Sequence, residues 1–443
     1  MSETPSLSEH LGAFVAAPPP VPADVVERAK VSLVHNITMA LAARGRENAG
    51  HIAAARHPGH ATLLASGAHC SADWAALANG ALFHVRSQDD VHLASTAHPG
   101  APVIAAALAV AETHGASGKA FLEAMVLGYE VLCRIGRDFD QEATERGFRP
   151  AGIWGGFGAA AASVRLMGLD AKGCGHAIAL ATHQAGGVLQ VWTEGGPEFP
   201  FQLGFAARNG VVAAELAAAS QVAGRFMLEG SKGLYHAVSG VSTAPTEALD
   251  GLGTDWQLRE VTVKPYPCCA VLQGPVQEVL RLRSDINGAR ILAVHLSLSP
   301  FEATFPGIDN AGPAFASAAA TKMSAQFCLS VALIDGRLAL SDLSRLHDPA
   351  IRAMAARIKV IADQALQDRQ CRIRIELDDG RMLSAGLDGA IGQPSFDEIS
   401  AFCITMADEM GITPEQAQAI NREIAELDER PDVSALIAAI VGR

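Results

Sequence analysis

The sequence carries little charge, and its charge has the wrong sign for binding nucleic acid. Charged residues make up only 18% of the 443 residues and hydrophobic residues make up 49%. Disordered chains show the opposite balance, so this composition excludes disorder. A chain of this length can bury a large core, and at roughly 150 residues per domain it should form two or three domains. The formal net charge is −13. We therefore expect no nucleic-acid partner, because sequence-independent binding needs a basic surface.

The sequence also lacks cysteine motifs and long hydrophobic runs. Its eight cysteines include no CxxC spacing, and the only close pair is the adjacent Cys268 and Cys269. This usage is typical of a reducing compartment. The longest apolar run, residues 101–111, is shorter than the ~20 residues of a membrane span. No basic segment followed by an apolar stretch stands near residue 1. We therefore expect a cytoplasmic protein without a membrane partner.

The first part of the chain is dense in Ala, Leu and Val, with Gly, Pro or Asp at the ends of each segment. Such spacing predicts helices, and small residues let helices pack closely. The first helix should begin near Pro22. Further helices are predicted over 101–113, 119–136, 156–168, 173–186 and 205–220.

Strand patterns begin near residue 255. Residues 256–263 alternate, 290–299 are β-rich, and 372–377 alternate before an Asp-Asp-Gly turn at 378–380. Helical patterns lie between them, over 274–283, 313–334 and 348–366, and the tail is helical again. The fold class predicted is α+β: a large, mostly helical domain of residues 1–265 and 400–443, with a smaller α/β domain of 266–399 inserted.

Two features of the sequence suggest a chemical role without reference to any known family. The glycine-rich segment 152–158 lacks the GxGxxG spacing of a dinucleotide site, so it indicates close packing at a helix entry. A cluster of imidazoles and carboxylates allows three interpretations: a metal site, an unrelated surface loop, or an organic active site. Its members are His84, Asp89, Asp90, His92 and His98.

Two cations flanked by glycine or proline stand far from this cluster in sequence. Arg149 lies in Gly-Phe-Arg-Pro, and Lys264 begins the segment Lys-Pro-Tyr-Pro-Cys-Cys that includes Tyr266. In so acidic a chain, such loop cations are candidate anchors for an anionic substrate. Taken singly, each cation is better explained as an ordinary surface charge.

An ordered set of short segments resembles the MmgE/PrpD family over nearly the whole chain. The set includes Asp89-Asp90 followed by His98-Pro99, the run 111–119, Gly128-Tyr129-Glu130-Val131, 204–210 and the segment 264–269. Later segments, at 322–327 and 333–336, also match the family pattern. The resemblance implies a helical domain joined to a smaller α/β domain, usually as a homodimer, with no metal and no organic cofactor. It also implies small di- or tricarboxylate substrates and a carbanion formed or quenched beside a carboxylate.

The chain departs from the family pattern at several polar positions. Ser87 and Val91 stand where the family commonly has Asp and Thr, and Arg149 replaces a histidine. Phe199 and Gln202 fall where a lysine and a histidine are usual, and Gln273 falls at another family histidine. A pocket with these replacements should prefer a less charged, more apolar substrate.

The resemblance and these departures together predict a cofactor-independent lyase or isomerase of a small carboxylic acid. A hydro-lyase similar to 2-methylcitrate dehydratase is favoured, with an epimerase or a catalytically silent acid-binding relative as alternatives. The predicted catalytic residues are His98, Lys264, Asp89 and Asp90. The predicted substrate-binding residues are Arg149, Tyr266, Gln273, His92, Phe199 and Gln202. We expect the His98, Arg149 and Lys264 side chains to converge on one pocket between the domains.

Overall fold

A computed structural model describes residues 4–45, 49–241, 247–312, 315–391 and 393–442. It confirms the predicted fold class, because a large helical assembly is joined to a smaller region built on a mixed sheet. The two largest hydrophobic cores of the described residues accompany this division, and a third, small cluster lies around β1 and β2. The first draws on residues 7–263 and 399–440, and the second on residues 189–199 and 268–377.

The helical part begins with twelve α-helices. They are α1 (Leu7–Ala16), α2 (Ala23–Leu41), α3 (Ala49–Ala54), α4 (Ala72–His84), α5 (Gly100–His114), α6 (Gly118–Arg137), α7 (Asp140–Glu145), α8 (Pro150–Met167), α9 (Ala171–Ala181), α10 (Gln190–Glu194), α11 (Pro200–Ala218) and α12 (Leu234–Ser239). Short strands pair β1 (Ala61–Thr62) with β2 (His69–Cys70), and β3 (Val91–His92) with β4 (Val261–Thr262).

Small residues bring the central helices of this part together. A Cβ placed on Gly128 of α6 would lie 2.8 Å from the carbonyl oxygen of Gly158 in α8, and one on Gly158 would lie 2.6 Å from the carbonyl oxygen of Gly128. Glycine is therefore required where these two backbones cross. The Ala-rich α5 and α11 pack against α8, and all three helices are buried over most of their length.

The α/β part is organised around a four-stranded sheet in the order β6-β5-β7-β8. Its strands are β5 (Ile291–Leu298), β6 (Ile358–Ala362), β7 (Gln370–Leu377) and β8 (Met382–Asp388). β5 runs parallel to β6 and antiparallel to β7, and β7 and β8 form the hairpin. Its helices are α13 (Gln273–Ile286), α14 (Pro300–Thr304), α15 (Ala318–Met323), α16 (Ala325–Asp335) and α17 (Pro349–Ala355).

The chain then returns to the helical part. The helices α18 (Phe396–Thr405), α19 (Ala407–Met410), α20 (Pro414–Ala425) and α21 (Ser434–Val441) follow the hairpin. α18 and α20 contact α2, and their buried residues belong to the first core. Within the part of the chain that the structure describes, no helix has the length and apolar character needed to cross a membrane.

Five local predictions were wrong. The helix expected to be the first, near Pro22, is preceded by α1, which Ser6 caps. Residues 256–263 were expected to form one strand, but 257–260 form a 3₁₀ helix and only Val261–Thr262 pair as β4. The helix expected over 348–366 ends at Ala355 and is followed by β6. The glycine-rich segment 152–158 lies inside α8, which begins at Pro150, rather than in a loop before it. The helix expected over 313–334 is divided at Ser324, and residues 313–314 lie outside the described ones.

Candidate active site

A short antiparallel ladder brings the predicted site residues together. β3 follows Asp89 and Asp90, and it pairs with β4 in the register Val91 with Thr262. Lys264 stands two residues after β4, so the ladder places its ammonium beside Asp89, 3.1 Å from Oδ1. Both side chains are buried. The ladder explains how groups separated by 175 residues in sequence become partners.

Asp90 anchors the start of α5. Its Oδ1 accepts a hydrogen bond from the Gly100 N–H at 2.8 Å, and its Oδ2 accepts one from the Tyr129 hydroxyl at 2.6 Å. An anion at a helix N-terminus is favoured by the unsatisfied N–H groups there. Burial raises the pKa of Asp90 to about 6, although the Tyr129 hydrogen bond opposes the shift. The Asp90 carboxylate therefore orients α5, while its backbone carbonyl is left for His98.

His98 is held through one ring nitrogen. Its Nδ1 lies 3.0 Å from the carbonyl oxygen of Asp90 and 3.3 Å from the ammonium nitrogen of Lys264. The Asp90 carbonyl is the nearer of the two and can only accept, so we assign the proton to Nδ1, and the Lys264 ammonium then lies beside Nδ1 without donating to it. Nε2 is then the basic atom, and no described residue forms a hydrogen bond with it. Burial, reinforced by the Lys264 charge, holds the pKa of His98 well below its usual value, so the ring is neutral.

His84 links the two predicted cations through Asp89. Its Nδ1 lies 2.7 Å from Asp89 Oδ2, and its Nε2 lies 2.5 Å from Nη2 of Arg149. The guanidinium must donate, so His84 accepts at Nε2 and donates from Nδ1 to the carboxylate. Burial lowers the pKa of His84 to about 4. The result is a buried chain of bonds in the order Arg149, His84, Asp89, Lys264.

The charges along this chain of hydrogen bonds determine whether the Asp89 carboxyl is protonated. Burial by itself would raise the pKa of this carboxyl, but His84 and Lys264 hold it well below its usual value. Burial also lowers the pKa of Arg149 to about 10, which leaves the guanidinium charged at neutral pH. Arg149 further donates to the carbonyl of Phe199 at 3.0 Å and to Oε1 of Gln202 at 2.9 Å.

A cavity opens beside this chain of hydrogen bonds, between the helical and α/β parts of the protein. It leaves about 60 Å³ accessible to the centres of water-sized molecules. One water needs about 10–15 Å³ on that measure, so the space suits a few waters or a small organic acid. The polar wall contains His84, Ser87, Thr96, His98, Arg149, Lys264 and Arg369. The apolar wall contains Val91, Leu189, Trp192, Val271, Phe301, Phe305 and Met323.

The other predicted binding residues lie around the cavity without lining it. Phe199 is buried, with its ring against Trp192, His84 and the Lys322 ammonium. Gln273 donates to the carbonyls of Tyr266 and Cys268 and accepts from the Tyr266 N–H, so it fixes the turn after Lys264.

His92 points to Ser95, and its Nδ1 lies 2.8 Å from the serine hydroxyl. Neither His92 nor Tyr266 is part of the cavity wall.

Several wall residues were not predicted from the sequence. His84 is a member of the sequence cluster with the carboxylates, but no role was predicted for it. Its spacing from Asp89 is the signal that could have identified the contact between them. Arg369, Phe301, Phe305 and Met323 come from elements of the α/β part that are distant in sequence, and no local motif marked them. Ser87 and Thr96 have positive φ angles of 53° and 43°, a conformation that is uncommon for such residues.

The groups His84, Asp89 and His98 are close enough to hold a metal, with one ligand atom from each within 4.8 Å of the others. The Lys264 ammonium, however, lies 3.1 Å from the Asp89 carboxylate and 3.3 Å from His98 Nδ1. A cation already occupies the position that a metal would need, and Arg149 adds a second positive charge to the chain of bonds. These residues therefore do not fit a metal site.

Comparison with known proteins gives the family. The family model of the MmgE/PrpD N-terminal domain matches residues 9–246, and that of the C-terminal domain matches residues 266–400. The chain therefore belongs to the MmgE/PrpD family.

Curated relatives carry the names of decarboxylases. A cis-aconitate decarboxylase from Aspergillus terreus is 28% identical over 405 residues, covering 84% of this chain and 82% of that protein. The cis-aconitate decarboxylase-like protein oryM from Aspergillus oryzae is 26% identical, covering 96% and 95%. The human cis-aconitate decarboxylase is 24% identical, covering 65% and 61%. These similarities support an enzyme of a lyase-type family.

Proposed function

We propose that the protein is a lyase that removes the proton next to the carboxylate of a small acid, acting as a hydro-lyase. The observation that carries this proposal is one cavity that joins a free imidazole nitrogen, Nε2 of His98, to the cations Arg149 and Lys264. A base and charge-stabilising cations are the two groups that such a proton transfer needs.

The reaction can be written with these side chains alone. Arg149 and Lys264 hold the substrate carboxylate, and Nε2 of His98 takes the proton from the adjacent carbon. Negative charge then develops on the carboxylate oxygens, where the two cations stabilise it more strongly than in the ground state. The carbon–oxygen bond to the neighbouring hydroxyl breaks, and the imidazolium returns its proton to the departing hydroxide. Water leaves, a carbon–carbon double bond forms, and His98 is neutral again.

Decarboxylation is the second candidate, and the names of the relatives favour it. In that reaction a carboxylate leaves as carbon dioxide, and the carbanion takes a proton from the enzyme. His98 would then have to begin as an imidazolium. Burial and Lys264 hold its pKa well below the usual value, so the resting ring is neutral and has no proton at Nε2 to give. Epimerisation uses the same first step and differs only in returning the proton to carbon.

The test uses small hydroxy acids, unsaturated acids and ¹³C-carboxyl-labelled acids incubated with the protein in D₂O and followed by NMR. A hydro-lyase gives olefinic signals from hydroxy acids and hydroxy acids from unsaturated ones. An epimerase gives deuterium beside the carboxylate without an olefin, and a decarboxylase releases labelled carbon dioxide. His98→Gln should slow turnover by about 10²–10⁴-fold, whereas the exposed His183→Gln should leave it unchanged.

The proposal fails if acids that raise the melting temperature show neither exchange nor product, since that pattern identifies a silent acid-binding protein. It also fails if His98→Gln turns over within about threefold of the unsubstituted protein, a difference below ~0.7 kcal/mol. The homodimer and the cytoplasmic location remain predictions, to be checked by analytical ultracentrifugation and cell fractionation.

A further inference from the structure

The charges that reach the cavity limit what it can bind. Among the described residues of its wall, the charged side chains are Arg149, Lys264 and Arg369. Arg369 is paired with Glu302 at 2.7 Å, so this pair is neutral. Arg149 and Lys264 share a single carboxylate, that of Asp89, and the imidazoles between them are neutral by their hydrogen bonds. Two cations and one carboxylate leave one positive charge in excess.

Charges just outside the wall do not change this balance at the cavity. The Asp90 carboxylate accepts from the Gly100 N–H and the Tyr129 hydroxyl and is attracted to the Arg28 guanidinium, and it is not part of the cavity wall. The Lys322 ammonium donates to the Val85 carbonyl and lies 4.9 Å from the centre of the Phe199 ring. It is not part of the cavity wall. One anionic group is therefore what the polar wall can neutralise.

The apolar part of the wall offers no cation to a second anion, and its side chains carry a single hydrogen-bond donor, the Trp192 indole N–H. It is formed by Leu189, Trp192, Phe301, Phe305 and Met323, with Val91 and Val271 beside them. A carboxylate moved from water to such a surface without a cation loses hydration that one neutral donor does not replace. Each carboxylate beyond the first would therefore weaken binding, whereas an alkyl chain would gain from burial there.

We propose that the substrate of this site carries one carboxylate and an uncharged, largely apolar remainder. The proposal rests on the function proposed above, because it concerns the same cavity. It separates this protein in substrate class from relatives named for cis-aconitate, a compound with three carboxylates. It also bears on the reaction, since a single carboxylate held by Arg149 and Lys264 must stay to accept the developing charge and cannot leave as carbon dioxide.

The experiment compares three acids with equal carbon number: 3-hydroxyhexanoate, 3-hydroxyadipate and cis-aconitate, which carry one, two and three carboxylates. Their dissociation constants for the full-length protein are measured by isothermal titration calorimetry. We expect 3-hydroxyhexanoate to bind more tightly than either of the others by about tenfold or more. Equal or tighter binding of cis-aconitate or 3-hydroxyadipate would overturn the proposal.

A charge introduced into the apolar wall should reverse this order. Phe305→Lys is suitable because Phe305 is only partly buried, at the edge of the wall. We expect it to weaken binding of the monocarboxylate and strengthen binding of 3-hydroxyadipate. In Phe305→Leu, which removes the ring without adding charge, any change should be the same for all three acids. Phe301→Lys with Phe301→Leu gives a second pair at another partly buried position, in case the first variant does not fold.

The two proposals fail in different ways. If a di- or tricarboxylate binds best and is also converted, the substrate class is wrong and the lyase function stands. If the monocarboxylate binds best but no acid of the NMR panel reacts, the lyase function is wrong and the binding preference stands. An unchanged order of affinities in both lysine variants would contradict the charge argument itself.

Discussion

Two buried ion clusters in the helical part share the same ingredients and differ in how completely they are bonded. In the first, Arg134 and Glu130 of α6 form an ion pair whose side chains are fully buried. The guanidinium donates its other hydrogens to four backbone carbonyls, those of Ala248, Asp250, Gly251 and Asp255. The second oxygen of Glu130 accepts from the Gln257 N–H. This cluster is neutral, and all five guanidinium hydrogens have an acceptor.

The cluster at the cavity is incomplete, because its charges do not cancel and one of its ring nitrogens has no hydrogen-bond partner among the described residues. Arg149 and Lys264 share Asp89, one positive charge remains, and Nε2 of His98 has no partner among the described residues. A buried charge without compensation is costly unless something binds to it. The complete cluster therefore holds the chain in place, whereas the incomplete one is arranged to receive an anion. Replacing the cation by methionine should consequently destabilise the protein in the first cluster and mainly reduce turnover in the second.

The largest effect on stability is expected for Arg134→Met. It leaves the Glu130 carboxylate buried without its cation and removes the donors to four carbonyls. We expect the free energy of unfolding of the helical part to fall by about 3–5 kcal/mol, measured by urea denaturation. Arg165→Met is the control, because Arg165 forms a partly exposed pair with Glu123. Such pairs contribute about 0–1 kcal/mol. A loss no larger than that of the control would contradict the structural role.

Lys264→Met makes the same chemical change in the other cluster. It removes the excess charge, and Asp89 keeps its hydrogen bond from His84. We expect the free energy of unfolding to change by less than about 1 kcal/mol. Turnover of the acid identified by NMR should fall by about 10²–10³-fold, because one of the two cations facing the developing charge is lost. If Lys264→Met instead unfolds the protein as Arg134→Met does and the folded fraction keeps its turnover, both clusters are structural.

A further prediction, with a smaller expected effect on stability, concerns Asp140. Its carboxyl is mostly buried and forms no ion pair with the described residues. Its Oδ2 accepts a hydrogen bond from the Thr96 hydroxyl at 2.5 Å. Burial raises its pKa to about 7, although the Thr96 hydrogen bond opposes the shift, whereas in an unfolded chain it is about 3.9. The folded state therefore binds the proton more tightly. The stabilisation from this group is complete below about pH 4 and is lost as the pH rises through 7.

Asp140→Asn should remove that pH dependence. Between pH 5 and pH 8, the free energy of unfolding of the unsubstituted protein should fall by about 2–3 kcal/mol relative to the variant. Urea denaturation of both proteins over this range measures the difference, and other titrating groups cancel in the comparison. Parallel pH profiles would show that Asp140 ionises normally in the folded protein.

The fold could be predicted where residue periodicity decides the structure. The Ala-rich helices from α5 to α11 and the β7–β8 hairpin follow from spacing and turn residues. Residues 256–263 alternate in hydrophobicity, but tertiary contacts decide their structure, since the Gln257 N–H bonds to Glu130 of α6. β6 was missed because it is a mostly exposed strand with a burial pattern that does not alternate.

The candidate site could be predicted only in part. His98 was a candidate from its cluster and Arg149 and Lys264 from their loops, the family resemblance joined them into one predicted site, and the structure places all three on one cavity. The link through His84 depends on distances that spacing alone does not fix. The apolar wall brings together α15, the region of α14 and the segment near Trp192, and no sequence pattern relates these elements.

The two-residue ladder between β3 and β4 has a consequence for how such a site can diverge. Lys264 is held to the helical part by that ladder, although it directly precedes the α/β part. The proton-transfer group and both cations thus sit on one rigid support. Phe301, Phe305 and Met323 come from the other part of the chain. Selection can therefore change the side chains that face the substrate tail while the reactive groups keep their positions.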